Sequence, residues 1–157
     1  MKIVHALQPL QKSIFLAGPT PRDANTPSWR PDALLLLRLY HFDGTIFVPE
    51  ADDWAAHDSY DEQIRWEWEA LDQASVILFW IPRDIVSMPA FTTNVEFGLK
   101  IGQGRCLFGH PKDAPKCSYL DALAKRHNTA IYDNLPEIVQ AAKFRADDLH
   151  TATLRRS

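Results

Sequence analysis

Long apolar runs, paired cysteines, clustered basic charge and glycine-rich loops are scarce in this sequence, and each shortage removes a class of function. No apolar stretch approaches the ~20 residues a helix needs to cross a bilayer, so no membrane span is expected. The start, Met1-Lys-Ile-Val-His with Gln8, Pro9 and Gln11 close behind, offers no long apolar segment, and no signal peptide is expected. Two cysteines, Cys106 and Cys117, make neither a disulfide framework nor a metal-ligand spacing. A reducing, cytoplasmic setting fits them. The six histidines are dispersed without ligand spacing. The net charge is −3 and the basic residues are scattered apart from Arg155-Arg156, which gives no electrostatic ground for binding a polyanion. Neither a nucleic acid polymer nor a membrane is expected as a partner. Six glycines form no G-x-G-x-x-G or Walker A sequence, and Ser13 and Ser75 lack a nucleophile-elbow context.

What is present is a regular alternation. The 157 residues suffice for one domain, residues 1–157, with its core at about 13–143. Apolar runs at 13–17, 45–48, 76–81, 105–109 and 129–132 read as five strands. Between them, residues 33–42, about 60–74, the segment ending at Gly102, 118–126 and 135–143 read as helices. Residues 33–42 are apolar nearly all round, which predicts a well-buried helix, with Pro31 in its first turn and Gly44 at its end. The tail after residue 144 is polar and is expected to be mobile. Strands alternating with helices predict an α/β, doubly wound domain: a five-stranded parallel sheet in the order 2-1-3-4-5, helices on both faces. The run at 76–81 is apolar at every position, as a central strand should be.

In such sheets ligands bind at the carboxyl edge, where the ends of the first and third strands are neighbours. Gly18-Pro19 ends the first strand, and Gly18 lets a ligand approach the backbone closely, or is a plain turn. Glu96 lies near the start of the helix that follows the third strand. It is a candidate catalyst there; equally, Thr93-x-x-Glu96 fits a capping box. On the helix at 60–74, Tyr60, Ile64, Trp68 and Leu71 share one face at 3.6 residues per turn, while Glu62, Glu69 and Gln73 lie opposite. Glu67 falls on the apolar stripe, where an acid needs a partner or a purpose. An ion pair with Arg22 or Arg83 is the structural reading. Of Trp29, Trp54, Trp66, Trp68 and Trp80, most read as core or interface, and Trp66 lies off the core stripe, which suggests a subunit contact.

Three motifs decide between these readings. Phe15-Leu-Ala-Gly-Pro19, Leu71-Asp-Gln-Ala-Ser-Val-Ile-Leu-Phe79 and Asn94-Val-Glu-Phe-Gly98 resemble, in order and over roughly residues 13–109, the nucleoside 2-deoxyribosyltransferase family. The resemblance implies a flavodoxin- or Rossmann-like fold, nucleosides and free nucleobases as substrates, and a homo-oligomer in which a neighbour completes each pocket. It implies that Glu96 attacks the anomeric carbon of the sugar, and that Glu67, at the offset of the family's base-contacting Asp, handles the proton of the base. Phe15, Gly18, Pro19, Trp80, Thr92, Thr93 and Asn94 are then the expected substrate-binding residues, Trp80 by stacking on the base. Three positions depart from the family pattern: Phe15 stands where a Tyr is frequent, Thr92, Thr93 and Asn94 replace a segment carrying a sugar-binding Asp, and Ser75 replaces an acid.

The expected reaction is base exchange through a covalent glycosyl-Glu96 intermediate with retention, the ionised carboxylate being favoured by the helix N-terminus. It requires no metal and no organic cofactor. An N-glycosidase using the same Glu, with phosphate recognition by Arg22, Arg30 or Arg83 if the substrate is a nucleotide, is the alternative. A catalytically silent nucleotide-binding module, with Glu96 only a cap, is the second.

Overall fold

The computed structural model describes residues 12–50 and 60–155. Its strands are β1 (Ser13–Ala17), β2 (Thr45–Phe47), β3 (Val76–Trp80), β4 (Cys106–Gly109) and β5 (Ile131–Tyr132). Its helices are α1 (Arg30–Leu39), α2 (Tyr60–Gln73), α3 (Phe91–Lys100), α4 (Ser118–Arg126) and α5 (Leu135–Leu154). The strands form one five-stranded sheet in the order β2-β1-β3-β4-β5, with every pair parallel, as the alternation predicts.

Successive side chains of a strand point to opposite faces, and here both faces are dry. Phe15, Ala17, Ile77, Phe79, Cys106 and Phe108 pack against Ala70 and Leu71 of α2, Ala74 just after it, Phe97 of α3, and Leu120 and Ala124 of α4. Ile14, Leu16, Val76, Leu78, Trp80 and Leu107 pack on the other side against Ala33 and Leu37 of α1 and Ile138, Val139, Ala142 and Ala146 of α5. Phe97 sits between Phe79 and Phe108, with ring centroids 5.2 and 4.6 Å away, within the range of favourable aromatic pairs. That trio fixes α3 onto the sheet.

Several sequence expectations need correction. The helix expected at 33–42 runs instead over Arg30–Leu39 and buries one flank only: Leu35 and Leu39 are exposed. A helix lying on one face of a sheet has a solvent side whatever its composition. The chain leaves α1 through His41, in the left-handed region at φ 55°, rather than at Gly44. Gly44 is instead where the backbone passes Lys12, whose carbonyl oxygen a Cβ would meet at 2.5 Å. The Glu96 helix begins at Phe91, after Ala90 at φ 62°, so Glu96 lies in its second turn. The Thr93–Glu96 capping box is not formed, since the N-cap residue is Ala90 and no side chain caps this helix. The helix passes Gly102 in a short 3₁₀ turn, Ile101–Gln103, and the chain turns at Gly104, φ 71°.

The largest difference is at the carboxyl terminus. The helix expected to stop near Lys143 continues to Leu154 as α5. Its contact residues are alanines, Ala142 and Ala146, both fully buried, so the stripe that holds it carries little hydrophobic signal. Charge adds to it: the Asp147 carboxylate gathers Lys12 and, at 2.6 Å, Lys143, while Arg145 donates to the Gly104 carbonyl. Among the described residues no helix is long and apolar enough to cross a membrane. A chain ending at Lys143 should therefore lose measurable stability, on the order of 1–3 kcal/mol given the typical cost of losing buried packing and a partly buried ion pair. Urea melts of the two lengths check this; coincident midpoints would show that the last turns of α5 add nothing.

Candidate active site

β1 and β3 pair in parallel from Ile14–Val76 to Ala17–Phe79, so their carboxyl ends open side by side. There the chain surrounds a cavity of about 1130 Å³. One wall is the turn after β1, Gly18-Pro19-Thr20, with Arg22 and Arg30; another is α2, with Gln63, Ile64, Glu67, Trp68 and Leu71; the third is the start of α3, with Phe91, Thr92, Thr93, Val95, Glu96 and Leu99. α2 returns the chain from the end of β2 to the beginning of β3, so its first turns stand beside the carboxyl edge and its last turn lies over the sheet. The helical stripe is buried accordingly: Leu71 is in the core, Ile64 and Glu67 are half-buried, and Trp68 remains 62% exposed at the mouth.

Glu96 and Glu67 both face this space. Burial first, and then the Glu67 charge, push the Glu96 carboxyl up to about 7 against the opposing pull of Arg30 and Lys100. Glu67 is raised by burial, opposed by a hydrogen bond from the Gln63 side-chain amide (3.0 Å) and by Arg30. Two acids in one poorly hydrated space resist ionising together, so near neutrality the pair tends to keep a proton. The expectation that a helix N-terminus favours ionised Glu96 is thus reversed. In the second turn the end effect has faded, and burial dominates.

The positive charge behind the pair is Arg30, only 1% exposed. Its Nε donates to the Leu16 carbonyl (3.1 Å), Nη2 to the Gly18 carbonyl (2.7 Å), and Nη1 to Thr20 Oγ1 (3.1 Å) and Glu50 Oε1 (2.6 Å). Ser28 donates to both oxygens of the same Glu50 carboxylate at 2.9 Å. Burial pulls the Arg30 pKa down; Glu50 first, then Glu96 and Glu67, oppose it. The ion pair expected between Glu67 and Arg22 or Arg83 is absent among the described residues. Arg22 lies over the Phe91 ring, 5.4 Å from its centroid, and Arg83 donates to the Lys116 carbonyl and to Asn94 Oδ1.

Of the residues expected to bind substrate, Gly18, Pro19, Thr92 and Thr93 line the cavity. Gly18 does so because nothing larger fits: a Cβ would lie 2.2 Å from the Trp80 carbonyl oxygen and 2.7 Å from the Trp29 ring. Phe15, Trp80 and Asn94 lie outside the lining. Phe15 points into the core under α2, 6.5 Å from the Trp66 ring, and Trp80 into the opposite core layer beside Trp29. Asn94 is turned to Arg83. Trp66, expected at a subunit contact, packs over Phe15 and Phe47 at the edge of the core. Trp54 and the acidic loop after Glu50, residues 51–59, lie outside the described residues. Sequence reasoning did not place Arg30 beside the acids, nor Gln63, Trp68 or Phe91 on the wall. Gln63, one turn before Glu67, was accessible from helical spacing; nothing in the sequence marks Arg30 as buried.

The raised Glu96 carboxyl has a stability consequence. Its folded pKa exceeds the ordinary value of 4.5, so the folded state favours the neutral acid, a contribution present at low pH and lost as pH rises through about 7. Glu96→Gln should therefore be more stable than the parent at pH 8, by on the order of 2 kcal/mol, with the advantage shrinking towards pH 5. Thermal melts across that range test it; an equal or lower Tm for the variant at pH 8 would show that Glu96 is solvated.

No curated protein matches the chain. Residues 11–114, well over half of it and including β1 to β4, α1 to α3 and both cavity acids, match the description "nucleoside 2-deoxyribosyltransferase like". The chain belongs to the nucleoside 2-deoxyribosyltransferase-like family.

Proposed function

We propose that the protein exchanges the nucleobase of a (deoxy)nucleoside, as a nucleoside 2-deoxyribosyltransferase. The observation that supports this most directly is the pair Glu67 and Glu96 on two walls of one cavity at the carboxyl edge of β1 and β3. In this reading the Glu96 carboxylate attacks the anomeric carbon through an oxocarbenium-like transition state. The C–N bond breaks, and its electron pair leaves with the base, which takes up the proton held by Glu67. A second base enters, gives a proton to Glu67, and displaces the sugar from Glu96. Two inversions retain the configuration. Gly18, Pro19, Thr92 and Thr93 are the wall against which the nucleoside rests. No step uses a metal or an organic cofactor.

Ionisation fits these roles. With both acids raised, a proton is available to the pair near neutrality, and moving it from Glu96 to Glu67 arms nucleophile and acid together. Ile64, Trp68, Leu71, Phe91, Val95 and Leu99 give the cavity apolar surface on which a flat base can stack while water gains little. Hydrolysis is the second reading. It is favoured by the solvent exposure of Phe91, Val95 and Leu99, which leaves the outer wall wet in the isolated chain. A second copy of the chain covering that wall would favour exchange, and we place the protein in the cytoplasm as a homo-oligomer.

With a deoxynucleoside and an abundant second base, a new nucleoside of retained anomeric configuration should form much faster than free sugar. Free sugar released at the same rate with or without acceptor, and no new nucleoside, would move the protein to the hydrolase reading. Glu96→Ala should abolish both products while the fold survives. More than a few per cent of residual activity in a normally melting variant rules Glu96 out as nucleophile.

Glu67→Gln should slow transfer by roughly 10²–10⁴-fold for bases that leave only when protonated. It should spare a substrate whose leaving group departs as an anion. Equal losses on both would assign Glu67 a structural role.

A further inference from the structure

We propose that Glu50 is a positioning residue that acts through Arg30, setting how much positive charge reaches Glu96 and fixing the turn on which the substrate rests. The proposal rests on the reading of Glu96 as the nucleophile. Its geometry is independent of that reading. A guanidinium buried to 1% exposure lies between the cavity and the Glu50 carboxylate, in contact with Glu50 at 2.6 Å. Its other hydrogen bonds go to the Leu16, Gly18 and Pro19 carbonyls and to Thr20 Oγ1, which are the end of β1 and the cavity wall itself. Ser28, two residues before Arg30, donates to both oxygens of Glu50 and holds that carboxylate in register.

The arrangement places three carboxylates around one buried cation: Glu50 in contact, Glu67 and Glu96 at longer range. In this proposal Glu50, in contact with Arg30, offsets part of the cation's pull on Glu96. That leaves burial in command of Glu96, which keeps its proton until about neutral pH. The other charged groups on the cavity wall are Arg22 from the turn after β1, Asp72 from α2 and Lys100 from α3. Lys100 is already paired with Asp72, and Arg22 is engaged with the Phe91 ring. Of these cations Arg30 is the buried one, and the one that also holds the cavity wall.

The test follows Glu96 by carboxyl ¹³C NMR, with the resonance assigned by its loss in Glu96→Gln, and compares it with the acid limb of kcat/KM for base exchange. Glu50→Gln keeps the size of the side chain and its ability to accept from Ser28 and Arg30, but removes the charge. The Glu96 titration and the acid limb should both move to lower pH by about one unit. Glu50→Asp, a shorter carboxylate, should move both in the same direction by less, and it decides the matter if Glu50→Gln does not fold. In Arg30→Met, replacing Glu50 by Gln should move Glu96 by less than it does with Arg30 present, because only the direct field of the more distant carboxylate is then removed. A Glu96 titration that stays in place when Glu50 loses its charge, in folded protein, overturns the proposal; so does one that moves while the acid limb does not. Failure of the catalytic reading is distinguishable, since Glu96→Gln would then keep its activity while the NMR shift still appeared.

Discussion

A parallel sheet buried on both faces has nowhere to put polar groups except its edges, and this constraint organises the molecule. β3 is buried at every residue and β1 likewise, with alternate side chains serving two separate core layers. The hydrogen-bonding capacity left at the end of β1, the carbonyls of Leu16 and Gly18, must be met where the strand stops. Arg30 meets it from the first turn of α1. A cation committed to backbone carbonyls needs an anion nearby, which Glu50 supplies at the end of the neighbouring strand. The cavity and its acids are thus built on an edge that the fold had to satisfy in any case.

The same constraint explains the chemistry of the acids. Glu96 is carried by α3, whose position is fixed by Phe97 in the aromatic trio with Phe79 and Phe108. Adjacent helical residues point about 100° apart, so seating Phe97 in the core turns Glu96 towards the half-dry space above β1 and β3. Burial does the rest, raising the carboxyl to about 7. A carboxyl raised this far changes its charge near neutral pH.

How much of this was legible in the sequence follows from which signals are periodic. The strands read correctly because Val76 to Trp80 and Ile14 to Ala17 are apolar without interruption, and strict alternation with helices leaves few topologies. Glu67 was legible because an acid on an apolar stripe is anomalous. Ala142 and Ala146 hold the end of α5 with so little apolar surface that the stripe resembles a polar tail. Leu35 and Leu39 face solvent although composition alone puts them inside. Phe15 and Trp80 adjoin the cavity in sequence yet point into opposite core layers, a direction set by strand register. Arg30 was legible only as a candidate phosphate contact; its burial was not, because arginine is ordinarily a surface residue and the carbonyls and carboxylate that hold it come from separate segments.

Gly18 carries an implication for how this cavity could change. A Cβ there would run first into the Trp80 carbonyl oxygen, a main-chain atom that cannot swing aside, and then into the Trp29 ring. The wall at that point is as thin as a polypeptide allows. New preferences for larger or smaller ligands therefore have to be written elsewhere, in Thr92 or Trp68, exposed side chains that border the same space. One position is frozen by its neighbours, and the adaptability of the pocket is displaced onto the residues around it.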